Sequence, residues 1–140
     1  MKKTFVLVGF CCLFLFGCPP PIEMTSFQKI NYEAYTRGSS EQIILEQGKL
    51  KHFQNQKEVL SKTLYKKNYK TIYRILNSIN LENIDKVEAP SKKHQFDGAM
   101  YATLEITAKG TTYKSQGFDD DNPPKEFEEL LKYLQSLVKH

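Results

Sequence analysis

All three cysteines of the 140-residue chain, Cys11, Cys12 and Cys18, fall within its first eighteen residues. Everything after Cys18 must therefore hold its shape without a disulfide or a cysteine-bound metal. An apolar core has to replace those staples, and about 120 residues suffice to bury one. With 26% charged and 40% hydrophobic residues the chain has the balance of a globular domain, not of a disordered one. Its length excludes a TIM barrel or a two-lobed enzyme. The net charge is +4, or +2 without Lys2 and Lys3. That is too little to indicate a nucleic-acid-binding protein.

Met1-Lys2-Lys3 is a basic start, and the stretch 4–16 that follows contains no charge. A helix over such a stretch reaches about 20 Å, against the roughly 30 Å of a bilayer core. A basic start, a short apolar run and a small residue, here Gly17, together read as a secretory signal peptide. Leu15-Phe16-Gly17-Cys18 resembles the lipobox of bacterial lipoproteins. The resemblance implies a diacylglyceryl group on the Cys18 thiol, cleavage before Cys18 and acylation of the new amine. Two or three acyl chains on one residue make attachment effectively permanent, where one chain binds reversibly.

On this reading residues 1–17 are the signal peptide, 18–26 a lipidated cysteine with a Pro-rich tether, and 27–140 a single domain. Pro19-Pro20-Pro21 favours extended polyproline II, a stiff spacer. Proline, rather than aspartate, after the cysteine resembles lipoproteins sent to an outer membrane. The expected location is thus the bacterial cell envelope, with the membrane itself as first partner. Beyond the lipobox, the domain is similar in outline to small envelope lipoproteins of uncharacterised role.

Within the domain, Ile30, Tyr32 and Ala34 alternate with Lys29, Asn31 and Glu33, which predicts a strand ended by Arg37-Gly38-Ser39-Ser40. Residues 42–46 and 49–53 form a hairpin around Gln47-Gly48, setting Glu46 against Lys49 and Leu45 against Leu50. A second hairpin turns at Lys109-Gly110. Its register pairs Thr107 with Thr112, Glu105 with Lys114, Thr103 with Gln116 and Tyr101 with Phe118. Tyr69, Ile72, Tyr73, Leu76 and Ile79 mark one amphipathic helix. Phe127, Leu130, Leu131, Leu134, Leu137 and Val138 mark another, with Asn122 as N-cap and Pro123 in its first turn. Residues 88–96 read as loop. The economical arrangement is a two-layer α+β fold: an antiparallel sheet of four to five strands with two helices packed on one face. Gly48 and Gly110, each followed by a helix, hint at an internal duplication.

Few residues suggest chemistry. His52 falls opposite Ile43 and reads as a partly buried structural histidine, and His94 reads as a surface residue. No Gly-x-Ser-x-Gly and no phosphate loop occurs. Asp119-Asp120-Asp121-Asn122 is one dense oxygen cluster, which Asp97 approaches if it begins the strand that Phe118 closes. Consecutive acidic residues point in divergent directions, so a solvated turn is the expectation and Asp97, Asp119 and Asp121 are weak metal candidates. Glu105 is expected to pair with Lys114 rather than act as an acid. Lys62, Lys66, Lys67, Lys70 and Arg74 read as the wet face of a helix, although such a stretch also suits anionic lipid or cell-wall polymer.

The expected function is a non-catalytic interaction module whose open sheet face presents Tyr101, Thr103, Glu105, Lys114 and Gln116 to an envelope protein or polymer. No cofactor and no nucleic-acid partner is implied. The alternative is a small envelope hydrolase or metal-binding protein using Asp97 and Asp119–Asp121. The anchor has the sharpest test. Cys18→Ser is expected to abolish metabolic labelling with a fatty acid, and label that persists in the variant refutes the lipobox reading.

Overall fold

The computed structural model describes residues 27–139. The expected signal peptide, Cys18 and the expected Pro-rich tether lie outside the described residues, as does His140. In chain order the elements are β1 (Lys29–Thr36), β2 (Ser39–Glu46), β3 (Lys49–Gln54), β4 (Lys57–Thr63) and α1 (Lys66–Leu76). After two 3-10 turns, Leu81–Lys86 and Lys93–Phe96, come β5 (Tyr101–Ala108), β6 (Thr111–Lys114), β7 (Phe118–Asp119) and α2 (Lys125–Val138).

The alternation in β1 does what its period predicts: Ile30, Tyr32 and Ala34 are buried while Glu33 and Tyr35 are exposed. Gly38 turns the chain at φ +84°, and Ser39 and Ser40 already pair with Thr36 and Tyr35, so the first turn is two residues long. Gln47-Gly48 and Lys109-Gly110 are also two-residue turns with both φ values positive, the backbone that matches strand twist. Glu46 faces Lys49 and Leu45 faces Leu50, as expected.

The sheet has seven strands in the order β4-β3-β2-β1-β5-β6, with β7 pairing β5, and every pairing is antiparallel. This corrects the expected count of four to five. β4 is the main addition. Asn55 and Gln56 adopt positive φ to form another two-residue turn, although Gln56 is not a residue that advertises one. A bulge between His52 and Phe53 then breaks the period of the pairing. β7 is the other addition: β6 and β7 take successive stretches of the same edge of β5.

The core-facing side chains of the sheet, among them Ile43, Leu45, Leu50, Leu104 and Ile106, join one cluster with Ile72, Ile75, Phe127, Leu130 and Leu134 of the helices. The helices run antiparallel: Asn68 bonds the Tyr133 hydroxyl at 3.1 Å and Arg74 pairs with Glu129 at 2.6 Å. Arg74 is thus a helix–helix partner rather than part of a free basic face. Ile84 of the first 3-10 turn closes the cluster. α2 begins later than its sequence suggests. Pro124 is the N-cap, at φ −53° and ψ 143°, and no side chain caps the helix. A residue before proline avoids helical ψ, so Pro123-Pro124 holds the chain extended. Asn122 instead bonds Ser91 Oγ at 2.9 Å.

The sheet has two ends. The entry end, where Phe27 leads into β1, carries the turns at 47–48 and 109–110 and the start of α1. The far end carries the turns at 37–38 and 55–56 and the starts of β5 and α2. Leu131 is 4% exposed within the helical half of the core. Leu131→Asp buries a charge without a partner and is expected to destabilise the domain by about 3–5 kcal/mol, read as a lowered urea midpoint. An unchanged midpoint would show that α2 is not part of the core.

Candidate functional site

The far end is organised by one carboxylate. β5 and β6 keep the expected register as far as Glu105 opposite Lys114. Beyond it the chain gains a residue: Ser115 satisfies both Leu104 backbone groups, donating its amide at 2.9 Å and accepting the Leu104 amide on its hydroxyl at 3.0 Å. Pairing resumes as Ala102 opposite Phe118 and Tyr101 opposite Asp119. The expected pairs Thr103–Gln116 and Tyr101–Phe118 are therefore displaced by one position. Phe118 turns into the core against Phe127, with ring centroids 5.9 Å apart, and Asp119 takes the face that Phe118 was expected to hold.

Asp119 is completely buried. Its carboxylate accepts the backbone amides of Lys93 at 2.9 Å and His94 at 2.8 Å, the Ser91 hydroxyl and the His94 ring through Nδ1. Burial alone would raise its pKa. The bonds from Ser91, the two amides and the imidazole outweigh that and hold the carboxyl far below the ordinary range. The solvated turn expected here is thus a pin that fastens the 91–94 loop across the sheet's uncovered face. Its neighbours are engaged as well: Asp120 accepts the Met100 amide at 2.8 Å, and Asp121 pairs with Lys93. Ser91 donates to the carboxylate and not to the imidazole, so Ser91, His94 and Asp119 do not form a nucleophile–base relay.

His94, expected at the surface, is held against Asp119 with its ring edge-on to Tyr101 at 5.2 Å. Tyr101 in turn packs against Tyr35 at 5.4 Å. A side chain at Gly117 would collide with the Tyr101 ring, which makes glycine the residue that lets this ring lie down on the sheet edge. Tyr35 remains 49% exposed. It forms a ridge between a shallow hollow of about 290 Å³ towards Arg37, His94 and Asp97 and one of about 440 Å³ towards Glu33, Ser40 and Asn55. A larger hollow, about 690 Å³, lies at the entry end between Phe27, Gly48 and Tyr69.

The expected contact residues separate. Tyr101 and the pair Glu105–Lys114, at 2.8 Å, share the uncovered face. The Lys114 ammonium holds the Glu105 carboxyl below its usual range, with Asn31 adding a bond. Thr103 lies in the same row but is 9% exposed, so it supports its neighbours rather than meeting a ligand. Gln116 leaves the row; its amide donates to the Asp85 carbonyl of the 81–86 turn at 2.7 Å. Tyr35 joins the group because β1 lies beside β5, with Tyr35 opposite Tyr101. The alternation of β1 marks Tyr35 as outward-facing, but only that long-range pairing puts it here. His52, on the helix side, bonds Glu41 at 2.9 Å and is structural, as expected.

Asp97 caps the 93–96 turn at φ +57° and does not begin a strand. Among the described residues no three of His, Cys, Asp and Glu converge as a metal-binding group, so Asp97, Asp119 and Asp121 are not brought together as ligands. No described helix is long and apolar enough to cross a membrane. The fold and site define an antiparallel α+β domain with a pinned aromatic corner. No family model, curated protein or solved structure matches the chain.

The pin carries a pH signature. Its folded pKa lies below the unfolded value of about 3.9, so its stabilisation is complete above that value and is lost as pH falls through the folded one. Asp119→Asn is expected to cost about 2–4 kcal/mol at neutral pH and to flatten the decline of stability below about pH 4. Denaturant titration across pH reads both, and an unaltered acid slope would contradict the assignment.

Proposed function

We propose that the chain is a lipid-anchored lipoprotein of the cell envelope whose domain is a non-catalytic interaction module. Its contact surface is the uncovered sheet face, centred on Tyr35 and Tyr101 at the far end and continued along β5 into the entry half by Glu105 and Lys114. The observation that carries this reading is the exposed Tyr35 ring between two hollows, packed against Tyr101, which meets the edge of a His94 ring bonded to the buried Asp119. A fixed aromatic ring offers large contact area at small entropic cost, because it is already ordered before binding. Glu105 and Lys114 add a charged pair at the rim, which favours orientation more than affinity.

The lipid anchor on Cys18, with placement in an outer membrane, rests on the resemblance of Leu15-Phe16-Gly17-Cys18 to a lipobox. The partner implied is an envelope protein or polymer. The hydrolase or metal-binding alternative relied on Asp97 and Asp119–Asp121, and Asp119 to Asp121 already serve the fold. Capture from detergent-solubilised envelope tests the surface. Tyr35→Ala with Tyr101→Ala is expected to reduce recovery of bound partner at least tenfold, and Lys114→Glu to reduce it less. Undiminished capture by the double variant, with its fold intact by circular dichroism, would reject this face.

A further inference from the structure

We propose that the entry end of the domain is a membrane-docking surface that rests on anionic lipid headgroups and so directs the Tyr35 face away from the bilayer. Lys49, Lys66, Lys67 and Lys109 are exposed around this end, and Lys62 is half-buried beside them. Among the described residues none of the five lies within ion-pair distance of a carboxylate, a state they share with Lys29 and Lys70 and, away from this end, with Arg37, Lys57 and Lys92. Glu46 is the acidic neighbour, and the register sets it opposite Lys29 and Lys49. The first turn of α1 carries Lys66 and Lys67 and no acidic residue, the reverse of what the helix dipole favours. Stability alone does not account for that placement, and an anionic surface does.

A second observation points to lipid rather than to a soluble anion. Tyr65, between these lysines in the chain, is 75% exposed. A tyrosine ring in water flanked by lysines is the composition found at bilayer interfaces, where the ring sits at headgroup depth and the ammonium groups meet phosphate. The third observation is continuity. Phe27 packs on Tyr69 and Tyr73, with centroids 6.1 and 5.0 Å away, so the preceding chain joins the domain about one helical turn from Tyr65 and Lys66.

On the lipobox reading, on which the leash to the membrane rests, the eight residues between Cys18 and Phe27 span at most about 28 Å. A leash of that length holds the basic end near the headgroups, where a patch too weak to bind from solution becomes occupied. Attraction to an anionic leaflet decays within about 10 Å in moderate salt, so contact depends on that closeness.

The chain has no tryptophan, so Tyr65→Trp places a single indole emitter in the patch. The full-length variant is mixed with phosphatidylcholine vesicles with and without phosphatidylglycerol, and flotation of the same samples in high salt reads the anchor separately. The expected result is a blue-shifted indole emission, quenched by brominated lipid, on the anionic vesicles only and reversed by high salt. Lys66→Gln, Lys67→Gln and Lys109→Gln together are expected to abolish the shift, since each lysine near such a surface contributes about fivefold in partitioning. Tyr35→Trp, made alone, is expected to keep its aqueous emission.

Aqueous emission from the Tyr65→Trp variant on anionic vesicles that carry the protein would overturn the proposal. So would an equal shift on pure phosphatidylcholine, an equal shift with lipid-free dextran sulfate, or an equal shift for Tyr35→Trp. A shift on anionic vesicles without flotation in high salt would refute the anchor and leave the docking surface standing.

Discussion

Leu104 meets Ser115 with both its backbone groups, and this exchange sets the geometry of everything after it. Had the β5–β6 ladder continued without interruption, Phe118 would face water beside Tyr101 and Asp119 would point into the apolar layer. One inserted residue exchanges the two. Phe118 fills the space against Phe127, and Asp119 emerges on the opposite face, where the 91–94 loop supplies four donors. Neither outcome is tolerable alone: a buried carboxylate without donors costs several kcal/mol, and a stranded phenylalanine gives up its burial. The bulge and the loop must therefore form together. It follows that the aromatic corner at Tyr101 inherits its order from a carboxylate that is itself completely buried.

Local pairings were legible in the sequence, and long-range ones were not. Thr107 opposite Thr112 and Leu45 opposite Leu50 could be read because each pair is joined by a few residues with turn chemistry between them. The buried stripes of α1 and α2 could be read from their period. The pairing of β1 with β5, which brings Tyr35 to Tyr101, has no local signature, because β2, β3, β4 and α1 lie between the residues that meet. Asp119 was misread for the same reason. A run of acidic residues looks solvated until the donors that bury it arrive from Ser91 to His94, a segment 25 to 28 residues away. Pro123-Pro124 was the opposite case: the signal was local, but the restriction on the residue before proline outweighs the capping preference of Asn122.

Antiparallel pairing at the centre also explains the contrast between the two ends of the domain. β1 and β5 run in opposite directions, so the start of β1 and the end of β5 share the entry end, with the lysine-bearing turns at 49 and 109. The starts of β5 and α2 share the far end, with Asp97 and Asp119 to Asp121. A sheet built as two meanders joined back to back thus separates the functions proposed for it along its own strand axis. The proposed attachment falls at the end where the chain enters, and the proposed recognition at the end where the loops from α1 to β5 return.

The proposal of recognition through a face, and not through a strand edge, agrees with how the edges are finished. An open edge offers unpaired amides and carbonyls to any passing strand. Here β4 carries Lys57, Glu58 and Lys62 on one edge, and the His52–Phe53 bulge interrupts its ladder. On the other edge β6 is only four residues long, is packed by the 81–86 turn and gives way at Ser115 to the irregular stretch before β7. Strand addition is disfavoured at both. The uncovered face is built differently. Its polar residues are paired with one another, as in Asn31 with Gln42 and Thr107 with Thr112, so it remains hydrated at little cost. Tyr35, an aromatic ring with about half its surface in water, is a place on that face where expelling water brings a gain.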